Sequence, residues 1–182
     1  LKIFEEAGNK RTAAIVRQNI GAIYVFMDHD SQAIEYLIPS LEFFQENDDQ
    51  PKALYVLSNL GGLKAKQGDY SEAMDYYDEG LKIAEEISDR QNTALILTMI
   101  GEVHQKMGNY SQALAYIARG LTILEAIGDK MGLSHALIAK AQVYQKQGKY
   151  SQAITNAEKG LNLAQQTGGI VESRDAAKVL YN

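Results

Sequence analysis

The side chains able to do chemistry in this chain are three histidines, 23 aspartates and glutamates and 18 lysines and arginines, with no cysteine among its 182 residues. The missing thiols exclude disulfides, thiolate metal sites and a cysteine nucleophile. His29, His104 and His135 lie far apart, and no His-Glu-x-x-His or other paired-ligand spacing joins them. Asp28-His29-Asp30 is the tightest group of metal-ligand types. Gly61-Gly62-Leu63-Lys64 has the small residues of a phosphate loop without its Gly-Lys-Ser/Thr ending. Asn109-Tyr110-Ser111 matches a glycosylation acceptor. Catalysis requires a nucleophile with its base, a ligand set or a phosphate cradle. None is assembled here, so the expectation is a protein that is not an enzyme and carries no cofactor or metal.

Each of these candidates is part of a longer pattern. Gly68-Asp69-Tyr70-Ser71-Glu72-Ala73-Met74 recurs 40 residues later as Gly108-Asn109-Tyr110-Ser111-Gln112-Ala113-Leu114, and again as Gly148-Lys149-Tyr150-Ser151-Gln152-Ala153-Ile154. Asp28-His29-Asp30-Ser31-Gln32-Ala33-Ile34 is a fourth copy in the same register, which makes the acidic triplet a solvated turn. Gly80-Leu81-Lys82-Ile83, Gly120-Leu121-Thr122-Ile123 and Gly160-Leu161-Asn162-Leu163 form a second landmark. Leu1-Lys2-Ile3 falls into its register, so the chain is expected to start partway through a repeat, as a piece of a longer protein.

Apolar residues between the landmarks follow helical spacing: Leu57, Leu60, Gly61 and Leu63 before one turn, Ala73, Tyr76, Tyr77, Gly80, Leu81 and Ala84 after it. Each repeat therefore reads as two helices. First helices are predicted near 12–27, 52–67, 92–107 and 131–147, second helices near 31–47, 71–87, 111–127 and 151–167, and a last helix from about 171. Gly68, Gly108 and Gly148 are placed to close the first helices in the left-handed conformation, with Asp28 as a costlier substitute. Ser31, Ser71, Ser111 and Ser151 are read as caps of the second helices, and Tyr70, Tyr110 and Tyr150 as packing residues. Pro39, inside a second helix, should bend it.

The pattern resembles the tetratricopeptide repeat: Leu60-Gly61, Gly68, Tyr70, Ala73 and Gly80, then Ile100-Gly101, Gly108, Tyr110, Ala113 and Gly120, match its landmarks. HEAT and armadillo repeats share the period of about 40 residues, and these residues decide between them. The last repeat departs, with Lys140-Ala141 in place of Leu-Gly. The family's Pro at the end of the second helix is replaced by Gln45, Glu85, Glu125 and Gln165, so that helix should run on, which accounts for 40 residues against the usual 34 or so. This longer form is similar to the repeats of kinesin light chains, of bacterial peptide-sensing regulators and of arrays preceding histidine kinase or nucleotide cyclase modules. The expected fold is all-α, a right-handed α-solenoid in one domain over 1–182, with repeats at about 14–53, 54–93, 94–133 and 134–173 and partial repeats at 1–13 and 174–182.

In such a solenoid the first helices line a concave groove. Asn19 and Asn59 stand where, in peptide-binding relatives, an Asn holds the backbone of an extended peptide; an amide offers a donor and an acceptor together. The flanking inward positions are read as Ile15, Gln18 and Ala22; Tyr55, Ser58 and Gly62; Leu95, Thr98 and Glu102; and His135, Ile138 and Gln142. This mixed lining suits a peptide or partner helix better than a metabolite. Lys66, Lys106 and Lys146 form a last-turn column that meets the helix dipole.

A net charge of -5 disfavours nucleic acid as a partner. No apolar run approaches the roughly 18 residues of a membrane span. The resulting expectation is a cytoplasmic, non-catalytic scaffold for a protein or peptide partner, able to self-associate through exposed repeat ends. The alternative is a sensory, regulatory or dimerising segment of a bacterial signal-transduction protein whose effector lies elsewhere.

Overall fold

The structure, a computed structural model, describes residues 8–181. Among them the chain forms nine α-helices and no strand: α1 (Lys10–Phe26), α2 (Asp30–Glu46), α3 (Gln50–Gln67), α4 (Tyr70–Glu86), α5 (Arg90–Lys106), α6 (Tyr110–Ile127), α7 (Lys130–Lys146), α8 (Tyr150–Thr167) and α9 (Ile170–Tyr181). Every helix end lies within two residues of its predicted place. The register of Leu1-Lys2-Ile3 lies outside the described residues.

The helices pack as two units, divided between Ile87 and Ser88. In the first, the hairpins α1–α2 and α3–α4 stack through α2 on α3 and α1 on α3. Its core is Ala14, Leu37, Phe44, Val56, Leu57 and Leu60, all fully buried. In the second, α5–α6 and α7–α8 stack in the same manner, α9 packs on α8, and the first helices α5, α7 and α9 touch in order. Ile117, Leu124, Ala136 and Val143 fill its centre. Each large side chain so buried contributes about 1.5–3 kcal/mol, and a single hairpin cannot bury its own face.

Glycines set how closely the paired helices cross. A Cβ at Gly21, Gly61 or Gly101 would lie 2.6 Å from Leu37, Tyr77 or Ile117 of the paired helix. In the last repeat the glycine is replaced by Ala141, and its partner has shrunk to Ala157; both are fully buried. The smaller partner makes room for the added methyl, so the crossing is kept although the glycine is not. A second close approach sits at Gly120, where a Cβ would meet the Ala94 carbonyl and Thr98 Oγ1 at 2.9 Å, and at Gly160, beside Ile138 and the Ser134 carbonyl. The Ser134 hydroxyl donates to the Gly160 carbonyl at 2.8 Å across that contact.

The turns follow the glycines. Gly68, Gly108 and Gly148 have φ of 88°, 80° and 72°, and Asp28 takes the same conformation at 58°. The next amide folds back onto the helix just ended: His29, Asp69, Asn109 and Lys149 donate to Tyr24, Lys64, His104 and Tyr144. This tight closure brings the second helices in one residue early. Ser31, Ser71, Ser111 and Ser151 consequently lie second within the helix, and the cap positions fall on His29, Asp69, Asn109 and Lys149, none of which makes a side-chain capping bond. Serine capping is thus corrected. The side-chain caps are on first helices instead: Asn9 accepts from the Thr12 amide, Asp89 from Asn92, and Asp129 from Met131 and Gly132. Tyr70 and Tyr110 are half-buried, whereas Tyr150 is 65% exposed and departs from the packing role read for its column. The second helices do run past Gln45, Glu85, Glu125 and Gln165, and α2 continues through Pro39.

Candidate functional site

Of the columns predicted on α1 and α3 of the first unit, Ile15 is half-buried and packs against the core, and Ala22 and Asn59 are half-buried. Asn19 and Gly62 are exposed and Tyr55 is 47% exposed. Asn59 donates its amide to the Tyr55 carbonyl of its own helix at 2.8 Å. That bond pins the side chain and leaves Oδ1 as the group an incoming N–H could meet. Gln18 and Ser58 belong to a column that turns inward. Gln18 Oε1 is buried with no hydrogen-bond partner among the described residues, and Ser58 donates to the Leu54 carbonyl at 3.0 Å.

The same turn is complete in the second unit. Thr98 is fully buried and donates to the Ala94 carbonyl at 3.0 Å; Ile138 is buried against Gly160. The close crossings at Gly120 and Gly160 bring the second helix over Thr98 and Ile138, so in the second unit this column serves the helix pair more than the open face. Leu95, Glu102, His135 and Gln142 are half-buried on that face.

Glu102, His135, Ile138 and Gln142 come together around a cavity of about 200 Å³, with Ala139 and, from α9, Val171, Glu172 and Asp175. A second cavity of about 370 Å³ adjoins it through His135 and Glu172 and is lined by Gln91, Leu95, Asp129, Met131 and Gly132. His135 Nε2 lies 3.2 Å from Glu102 Oε1. Burial pulls the His135 pKa down, but the Glu102 hydrogen bond and the charges of Glu102, Glu172 and Asp175 outweigh it and hold the pKa above the ordinary histidine value. The α9 residues were missed by the sequence reading, although one further period along the Leu95, His135 column lands on Asp175.

The remaining candidates have structural partners. Asp28 and Asp30 receive Lys66 at 2.9 and 2.8 Å. Hydrogen bonds to Asp30 and Asp28 raise the Lys66 pKa, and the bond from Lys66 lowers that of Asp28. Among the described residues no three histidine, aspartate or glutamate side chains gather as a metal site. His104 is buried and stacks on Tyr116 at 5.3 Å. Gly61-Gly62-Leu63-Lys64 is helical, with Lys64 paired to Glu72 at 2.6 Å. No helix among the described residues is long and apolar enough to cross a membrane.

Helix pairs on a 40-residue period, with glycine at most of the crossings and turns, match the family model of the tetratricopeptide repeat over residues 11–86 and 92–166. The chain belongs to the tetratricopeptide repeat family. No protein of curated function matches it. Among solved structures it is similar to the apo form of RapI (TM-score 0.81, 19% identity, 92% of this chain and 61% of that one). Aspartyl phosphate phosphatase F from Bacillus subtilis aligns with TM-score 0.83 and 19% identity over 93% of this chain and 44% of that one. The Rap conjugation gene regulator of the plasmid pLS20, in complex with the Phr* peptide, gives 0.80 and 17% over 92% and 46%. At these identities the likeness is one of fold, and this tetratricopeptide repeat chain spans 44%, 46% and 61% of the lengths of the three.

Proposed function

We propose that this tetratricopeptide repeat chain is a non-catalytic scaffold that binds an extended peptide or partner helix on the exposed face of its first helices. The observation that carries the reading is the division of columns on those helices. In the second unit Thr98 and Ile138 are buried against the paired helices, while in the first unit Asn19, Tyr55 and Gly62 are exposed and Asn59 is half-buried beside them. An amide beside an exposed ring and a glycine gap suits a peptide: Asn19 and Asn59 pair with its backbone, and Tyr55 offers a rigid apolar surface. A fold neighbour described in complex with a peptide supports the same reading. That neighbour's description as a gene regulator supports placing the scaffold in signal transduction, with the effector supplied by another part of the protein or by a partner.

The test is a partner captured from source-cell lysate and then titrated against purified chain by calorimetry. Asn19→Ala/Asn59→Ala, with helical circular dichroism unchanged, should weaken binding by about fivefold to a hundredfold, the loss of two peptide-backbone hydrogen bonds at about 0.5–1.5 kcal/mol each. Equal affinity for both proteins would remove the Asn pair from the site.

A further inference from the structure

The two adjoining cavities of the second unit carry a more specific reading, which rests on the peptide-binding proposal and names the chemistry of one subsite. The carboxylates around them differ in what they already hold. Asp129 caps α7 through the Met131 and Gly132 amides and accepts Gln91 at 3.2 Å. Asp175 holds Lys178 at 2.9 Å and Arg174 at 3.5 Å. Glu102 is joined to His135. Glu172 lines both cavities and, among the described residues, has no hydrogen-bond or ion-pair partner. The walls beside it are apolar: half-buried Leu95, with Met131 and Val171 each 54% exposed.

An occupant of this space has to answer both features. A leucine or aromatic anchor would cover Glu172 and strip its water without replacing it, which is costly for a carboxylate. An acidic group would meet carboxylates on α5, α7 and α9. A long cationic side chain satisfies both, laying its aliphatic stem on apolar wall and its charge on the carboxylate. Arginine fits better than lysine because its planar fork pairs with a carboxylate through two donors and gives up its hydration more readily.

We propose that the cavities around His135 and Glu172 receive an arginine side chain of a peptide bound to the second unit, its guanidinium on Glu172 and its stem against Leu95 and Met131. His135 makes the subsite responsive to pH. The charges acting on it come from Glu102 on α5 and from Glu172 and Asp175 on α9, with Lys178 and Arg174 already on Asp175. A proton on His135 neutralises part of the field that attracts the guanidinium, so arginine binds more tightly once His135 is neutral.

The subsite can be tested without knowing the peptide. The isotope-labelled chain is titrated with N-acetyl-arginine amide while the His135 ring resonances are followed by NMR, with N-acetyl-citrulline amide as the neutral match in shape. The arginine compound should move the His135 signals and citrulline should not. Glu172→Gln, with unchanged helical circular dichroism, should weaken the response about tenfold, the scale of a charge-assisted pair. Equal responses to both compounds, or none to arginine up to its solubility, would overturn the subsite. If arginine is silent while the Asn19/Asn59 substitutions still weaken the captured partner, the subsite fails and the peptide-binding face stands. If arginine binds at Glu172 while the partner ignores the Asn pair, the subsite holds and the Asn reading fails.

Discussion

Gly61 and Gly62 are neighbours in α3, yet alanine should have opposite effects at the two positions. Each substitution gains the same helix propensity, about 1 kcal/mol over glycine. At Gly61 the new Cβ would stand 2.6 Å from Tyr77 Cε1 and 2.8 Å from Cδ1, and that ring is only 3% exposed and held in the core. Forcing a methyl into such a contact costs about 1–3 kcal/mol. At Gly62 the nearest atom is Tyr77 Oη at 3.7 Å, an ordinary contact on an exposed face. Gly62→Ala should therefore stabilise by about 0.5–1 kcal/mol, and Gly61→Ala should be neutral to destabilising by about 2 kcal/mol. Because the propensity gain is common to both, their difference isolates the packing clash at about 1–3 kcal/mol. In urea, with a slope near 2 kcal/mol/M, the two midpoints should differ by about 0.5–1.5 M. Gly101→Ala is a stricter case, since its Cβ would also lie 3.0 Å from the Ala113 backbone carbonyl, which cannot rotate away. Equal midpoints for Gly61→Ala and Gly62→Ala, or a more stable Gly61→Ala, would refute the claim that glycine here exists to let the paired helices cross.

Three further outcomes follow from particular contacts. Asp129→Ala removes the acceptor for two amides of α7 and should destabilise by about 1 kcal/mol, measured by urea unfolding, whereas Ser111→Ala, at a serine that caps nothing, should stay within about 0.5 kcal/mol of wild type. Thr98→Val keeps the shape of a fully buried side chain and should leave partner affinity unchanged by calorimetry; a clear loss would return Thr98 to the binding face. His135, its pKa raised in the folded chain, contributes stability that is fully present below its ordinary value of 6.5 and is lost as pH rises through the higher folded value. His135→Gln should flatten that part of the stability profile, and an identical profile in wild type and variant would show that the Glu102 pairing does not hold the proton.

Most of the fold was legible in the residues, because the features that define it are local and repeat. Left-handed turns demand glycine or a tolerant substitute such as Asp28, and helix crossings demand small residues, so both stand out at a fixed period. Even the irregular last repeat follows the rule, once Ala141 and Ala157 are considered as a pair. The serine caps were misplaced because an offset of one residue depends on how the turn closes back onto the preceding helix, which the serines do not report. The candidate site was only partly legible. Periodicity identified the residues on one side of a first helix, but whether Thr98 faces solvent or α6 depends on the approach permitted by Gly120, a residue on another helix. The acidic subsite was hidden for a related reason: Glu102, His135 and Glu172 come from three helices, and the last of these was not carried through the repeat columns.

Photo-crosslinking can locate a partner on the first helices or the second. Benzoylphenylalanine is placed singly at Tyr55 and Met131, on the exposed faces of first helices, and at Glu85 and Ile154, exposed on second helices. Each protein is irradiated with the captured partner. Adducts are expected from Tyr55 and Met131, suppressed by excess unlabelled wild-type chain, and none from Glu85 or Ile154. Adducts confined to the second helices, or equal at all four positions, would contradict binding on the first helices.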